Sequence, residues 1–223
     1  MTKTKSPNVV LLHGLGRASP SMAYLANRLQ RASYSPRNLS YPSRKYSVEK
    51  LAANFVFPAI EESLESSEPV HFVTHSLGGI VVRQLAASKA KINIGRVVML
   101  APPNGGSEVV DTLANWAWFR ALNGPAGKEL GTSENDLPKS LGPASFEVGI
   151  IAGNRTVNPL LSRMIKDEND GRVSTENAKL EGMADFLVLP VSHPLIMLNR
   201  VVAEEVIHFL EFGVFRGAEE AAF

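Results

Sequence analysis

The stretch Val70-His71-Phe72-Val73-Thr74-His75-Ser76-Leu77-Gly78-Gly79-Ile80 constrains the fold more than any other part of the chain. A run of strand-forming residues passes directly into Ser76. A helical pattern, carried by Ile80, Val81, Leu85 and Ala86, leaves directly after it. Such a junction requires a sharp turn at the serine, which exposes its hydroxyl at the carboxyl end of a strand. The helix N-terminus then points at any negative charge that forms there. Gly78, two places after the serine, lets the flanking chains approach. Thr74, two places before it, departs from the G-x-S-x-G form, and its bulk implies some adjustment of the turn.

Short apolar runs alternate with helix-like patterns along the rest of the chain, the signature of a parallel sheet covered on both faces. Strands are expected at Asn8 to Leu12, Val70 to Thr74, Arg96 to Leu100, Phe146 to Ile151 and Phe186 to Leu189, with a weaker one near Arg37 to Tyr41. The expected fold class is therefore α/β, a mostly parallel sheet of about six strands with helices on both faces. Ser19 and Pro20 suit the start of a first helix, and Ser47 begins a second in which Pro58 is a kink candidate. A last helix is expected from Pro194 to about Leu210, with Val202, Val206 and Phe209 on its apolar face.

At 223 residues the chain suits one domain, expected over 1–213, with 214–223 as a flexible tail. Net charge is +1, which gives no electrostatic reason to expect a nucleic-acid partner. The absence of cysteine excludes disulfides, thiolate metal sites and a cysteine nucleophile. No apolar run approaches the ~20 residues of an integral membrane span, and Val9 to Leu12 is too short for a signal-peptide core. The expectation is a soluble, cytoplasmic protein.

Val9 to Gly16 reads as a strand followed by a glycine turn. Gly14-Leu15-Gly16 could begin a dinucleotide fingerprint. However, Ser19 stands where its third glycine belongs, and no acidic residue near Tyr41 is placed to hold a ribose. His13 reads as structural. The acidic run at Asp167, Asn169 and Asp170 fails as a calcium loop, because its glycine comes one place early and Ala178 stands where the closing glutamate should be. No metal and no cofactor are expected.

Two histidines lie well after Ser76. His208 sits within the last amphipathic helix beside Phe209 and reads as a helix-face residue. His193 follows a strand and precedes Pro194, a loop position suited to a general base. Among the acids, Asp170 precedes Gly171 in a turn able to project a carboxylate. Asp167 is the runner-up, with Asp136, Glu168 and Asp185 as weaker rivals.

Thr74-His75-Ser76-Leu77-Gly78-Gly79 resembles the nucleophile turn of α/β-hydrolase-fold lipases and esterases, among them bacterial lipases and PGAP1-like hydrolases. The resemblance spans most of the chain, from His13-Gly14 to His193, and Asp170-Gly171-Arg172-Val173 is similar to an element of those lipases. It implies Ser76 as nucleophile, Asp170 as acid and His193 as base, with the backbone N–H groups of Leu15 and Leu77 as the oxyanion hole. The implied activity is hydrolysis of a small-molecule or lipid ester, with contact to a lipid surface open. Acyl transfer or thioester hydrolysis would use the same residues, and a non-catalytic binding module is the alternative of a different class. Residues 104–143 read equally as a cap or lid and as a packed cover of the sheet edge. Trp116 and Phe119, three apart, are expected on one helix face as substrate contacts.

Overall fold

The computed structural model describes residues 6–64, 68–88, 92–113, 115–157 and 159–217. Six strands form one sheet: β1 (Asn8–Leu12), β2 (Ser35–Leu39), β3 (Val70–His75), β4 (Ile94–Leu100), β5 (Val148–Arg155) and β6 (Asp185–Ser192). Their order is β2-β1-β3-β4-β5-β6, and every neighbouring pair is parallel. Parallel neighbours need crossovers, and helices supply most of them. The chain runs outward from β1 to the β2 edge, then returns across β1 to start β3. Strand order therefore reverses between β1 and β3, and a crevice opens at their carboxyl ends, the usual place for a ligand in such sheets.

The strand residues explain this layering. Val9 and Leu11 of β1 bury into one face, against α1 (Ala23–Arg31) and α10 (Arg200–Phe212). Val10 and Leu12 bury into the other, against α2 (Val48–Leu51), α3 (Phe57–Leu64) and α4 (Leu77–Ala87). A continuous apolar strand thus feeds two cores by simple alternation. Each large side chain so buried contributes about 1.5–3 kcal/mol. β2, with Pro36 inside it and only partial burial, occupies an edge, where a missing ladder donor costs little.

Several local expectations shift. Ser19 lies inside a 3-10 turn (Ser19–Met22) after Ala18 and does not cap it, whereas Ser47 accepts a hydrogen bond from Lys50 N as an N-cap. The irregularity expected at Pro58 falls one turn earlier, as a π turn (Ala52–Val56) joining α2 to α3. The last helix starts at Arg200 rather than Pro194. Asn199 caps it by accepting from Val202 N at 3.1 Å, and Ile196–Leu198 forms a separate 3-10 turn. Polar Asn199 offers the stronger start signal.

The tail expected to be loose from residue 214 is tied down at least to residue 216. The Phe215 ring packs 5.0 Å from that of Phe209, Phe215 N donates to Asp185 Oδ2 at 2.7 Å, and Arg216 N donates to the buried Glu205 at 2.8 Å. The remainder, 218–223, lies outside the described residues.

Between β4 and β5 lie α5 (Glu108–Leu113), α6 (Ala117–Lys128) and α7 (Leu137–Ser140). Gly124 interrupts α6 with φ 66°, and a Cβ there would collide with the backbone carbonyl of Arg44. Arg83, buried on α4, holds the segment at both ends. It donates to Asn104 O and Oδ1 at 3.2 and 3.3 Å, to Pro138 O at 2.6 Å and to Gly142 O at 2.8 Å. Burial lowers its pKa to about 10, so it remains a cation near neutrality. Two further short helices, α8 (Pro159–Ser162) and α9 (Thr175–Ala178), lie between β5 and β6.

Candidate active site

Ser76 joins β3 to α4 with φ 52° and ψ −120°, a conformation that only a tightly built turn holds in a residue bearing a side chain. The turn is fixed on both sides. Ser76 N donates to Leu100 O at 2.9 Å, and Gly79 N donates to Ser76 O at 3.0 Å. A Cβ on Gly78 would stand 2.7 Å from Leu12 O, so the approach of α4 to β1 needs glycine there. Thr74 is accommodated in regular strand pairing with Leu12 and Met99, and no positive φ is needed to fit it.

His193 follows β6 and is buried. Its Nδ1 lies 2.7 Å from Asp170 Oδ2, and its Nε2 lies 3.1 Å from Ser76 Oγ. A carboxylate only accepts, so Nδ1 carries the proton and Nε2 presents a lone pair to the serine hydroxyl. Asp170 is also buried. Its other oxygen accepts from Arg172 N and Val173 N, each at 2.9 Å, and Gly171 takes φ 96° to close this turn. His193 N donates to Asp170 O at 3.1 Å, locking the two loops together. The rival acids stand elsewhere. Asp167 is exposed, Asp136 Oδ2 accepts from Ser133 N, and Asp185 begins β6 at the opposite end of the sheet.

The β1 loop approaches from the other side. His13 is fully buried and stacks on Tyr41 at 4.1 Å. Tyr41 N donates to His13 Nε2 at 3.2 Å, so Nδ1 holds the proton and donates to Gly14 O at 2.9 Å. Burial holds the His13 pKa below its usual range, which keeps the ring neutral. The Tyr41 hydroxyl, its own pKa pushed up by burial, donates to His13 O. This histidine is structural, as its position suggested, and fixes the loop that carries Leu15. The N–H of Leu15 has no acceptor among the described residues, and Leu77 is the first residue of α4, where backbone N–H groups lack helical partners.

His75 was not singled out by sequence. It is buried beside Ser76, and its Nε2 lies 3.1 Å from His193 O, so Nε2 is the protonated nitrogen. Burial first, and then the charge His193 can carry, push its pKa well below the usual range. A neutral ring thus holds the backbone of His193. Adjacency to the serine was the only available signal, because the contact crosses 118 positions of chain.

Two cavities meet at Ser76 and His193. One, about 300 Å³, is mainly apolar, with Val110, Leu113, Trp118, Phe119, Leu122 and Leu130 among its walls. Phe119, one of the two expected substrate contacts, lines this cavity. Trp116 does not line it, because α6 begins at Ala117 and Trp116 is extended and exposed at its N-cap. Trp116 and Phe119 therefore do not share a helix face; Trp118 takes the lining position and meets Trp116 edge-on at 6.4 Å. The second cavity, about 310 Å³, is polar; Gly16, Arg17, Arg44, His75 and Pro194 bound it together with Leu15, Ser76, Arg172 and His193, which line both cavities.

The sequence profile of the alpha/beta hydrolase family matches residues 9–200, which contain every residue of this site. The chain belongs to the alpha/beta hydrolase family. Solved structures agree on the fold. The mature lipase BlEst2 of Bacillus licheniformis superposes with a TM-score of 0.71 at 20% identity, covering 94% of each chain. Phospholipase PlaB of Legionella pneumophila matches with a TM-score of 0.71 at 16% identity; it covers 95% of this chain, which spans 60% of that protein. The metagenomic carboxyl esterase MGS0156 matches with a TM-score of 0.65 at 19% identity, over 87% of this chain and 66% of its own. No curated protein matches the sequence at a significant level. Among the described residues, no helix of this family member is long and apolar enough to cross a membrane.

Proposed function

We propose that the chain hydrolyses carboxylic esters through an acyl-enzyme on Ser76. The reading rests on the hydrogen-bonded line Ser76 Oγ, His193 and Asp170, with contacts of 3.1 and 2.7 Å, opening onto an apolar cavity. His193 Nε2 takes the hydroxyl proton as Ser76 Oγ bonds to the ester carbonyl carbon. Asp170 keeps Nδ1 protonated and stabilises the imidazolium. The negative charge on the carbonyl oxygen is met by the N–H groups of Leu15 and Leu77, fixed before the charge appears; each such donor contributes about 3 kcal/mol. The C–O bond to the alcohol then breaks, and His193 returns its proton to the departing oxygen. Water, deprotonated by the same nitrogen, attacks the acyl-enzyme and releases the acid.

Trp118, Phe119 and Leu122 suit an acyl chain, and the exposed Trp116, Trp118 and Leu122 suit contact with a lipid surface at the mouth. The test is hydrolysis of p-nitrophenyl esters from acetyl to palmitoyl by wild type and Ser76→Ala. Hydrolysis lost in the variant supports the reading, with medium chains preferred given the cavity's size. Undiminished hydrolysis by a folded Ser76→Ala overturns it.

A further inference from the structure

The polar cavity gathers three arginines that the proposed ester hydrolysis does not use. Arg17 and Arg44 flank the oxyanion loop, and Arg172, which follows Asp170, lines the polar cavity and the apolar one alike. The Arg44 guanidinium lies over Gly16, so closely that a Cβ there would be 2.5 Å from its nitrogen. Arg17 donates to Pro194 O at 3.0 Å, next to His193. Among the described residues none of the three forms a salt bridge, although the chain pairs several other arginines with glutamates. Partial desolvation and the charges of Arg17 and Arg44 hold the Arg172 pKa below its usual range, opposed by Asp170, whose carboxylate is already bonded to His193. Three like charges around one cavity repel each other, and an arrangement of this kind is offset by a bound anion. Arginine also suits planar or tetrahedral oxyanions better than lysine, through paired N–H donors.

The two cavities divide a substrate at Ser76. The apolar one takes a hydrocarbon chain. Both are lined by Ser76 and His193, so an alcohol part seated in the polar one is within reach of the nitrogen that returns the proton to the leaving oxygen. Resting on the ester-hydrolase reading above, we infer that the substrate is an ester whose alcohol part carries a phosphate or carboxylate, held by Arg17, Arg44 and Arg172 while its acyl chain fills the apolar cavity. The anion takes no part in bond making. It binds and orients the alcohol side, so its effect falls chiefly on KM.

Three octanoyl esters with a common acyl chain, used below micelle formation, test this: octanoylglycerol (neutral), octanoylglycerol 3-phosphate and octanoylglycolate. The kcat/KM ratio of either anionic ester to the neutral one is expected to reach roughly tenfold or more, the effect of one charge-assisted hydrogen bond. The larger of the two ratios tells phosphate from carboxylate. In Arg44→Gln/Arg172→Gln, which leaves the Arg17 tie to Pro194 intact, the ratio should fall towards one, with folding checked by circular dichroism. A wild-type ratio near one, with Ser76-dependent hydrolysis of all three, would overturn the inference and leave the ester-hydrolase reading standing. So would a ratio unchanged in the double variant. Absence of Ser76-dependent hydrolysis with every ester would sink the underlying reading and this inference with it.

Discussion

At the scale of single residues, the contacts from Ser76 to His193 and from His193 to Asp170 each fix which atom donates and which accepts, so substitutions separate the proposed roles. Asp170→Asn keeps the shape of the side chain but can leave His193 in the wrong tautomer. Its kcat should fall by about 10⁴-fold, while Asp167→Ala should keep the wild-type rate, both read in an ester assay. His75 holds His193 O through its Nε2 and borders the polar cavity without a hydrogen bond to Ser76 Oγ, making it a positioning residue. His75→Phe should lower kcat on a neutral ester by about ten- to hundredfold, with a much smaller change in KM, because the base is displaced while the apolar cavity, which His75 does not line, is retained. An equal loss in KM would show instead that His75 supports substrate binding. Ser76, His193 and Asp170 were legible in the sequence because each stands beside an element boundary with a clear local signature. His75, Arg17 and Arg44 were not, because their partners lie far along the chain or in a cavity that forms only when five segments, one after each of β1, β2, β3, β5 and β6, converge.

At the scale of elements, the turn around Ser76 depends on close packing of α4 against β1. Gly78→Ala would bring Cβ to 2.7 Å from Leu12 O, a backbone atom that cannot rotate away. The variant should lose about 2 kcal/mol or more in denaturant unfolding, together with most activity. The segment 104–143 hangs from α4 through Arg83. Arg83→Met strands the carbonyls of Asn104, Pro138 and Gly142, and should cost about 3 kcal/mol or more, with limited proteolysis opening first within this segment. Cutting elsewhere first would show that Arg83 is not its anchor. The strands were readable from sequence because buried parallel strands are continuously apolar. Helix starts were less so. Pro194 permits a helix, but Asn199 supplies the side-chain oxygen that caps one, and Trp116 sits in the break before α6 rather than on its face.

At the scale of the whole molecule, the reversal of strand order between β1 and β3 sets the Leu15 loop and the Ser76 turn side by side, and the longer connections bring Asp170 and His193 to the same end. The same architecture buries His13 and His75 as neutral rings, and His71 shifts in the same direction. Burial lowers these pKa values below the model-peptide 6.5 of the unfolded chain, so below about pH 6.5 the unfolded chain binds protons that the native state refuses. Stability present above that pH should fall as acid is added, by up to about 1.4 kcal/mol per pH unit for each such histidine. The thermal midpoint should therefore drop between pH 7 and pH 5.5 on the order of several degrees. His75→Phe should flatten that slope; an unchanged slope would remove His75 from the linkage.

The central claim, that Ser76 is a nucleophile activated by His193, is tested most directly without knowing the substrate. A fluorophosphonate probe traps an activated serine by forming a P–O bond and releasing fluoride. Incubation of the wild type, followed by intact mass and peptide mapping, should give one adduct per chain, placed on Ser76, and His193→Ala should label far more slowly. No adduct on a folded wild type, or an adduct formed equally fast without His193, would contradict the account.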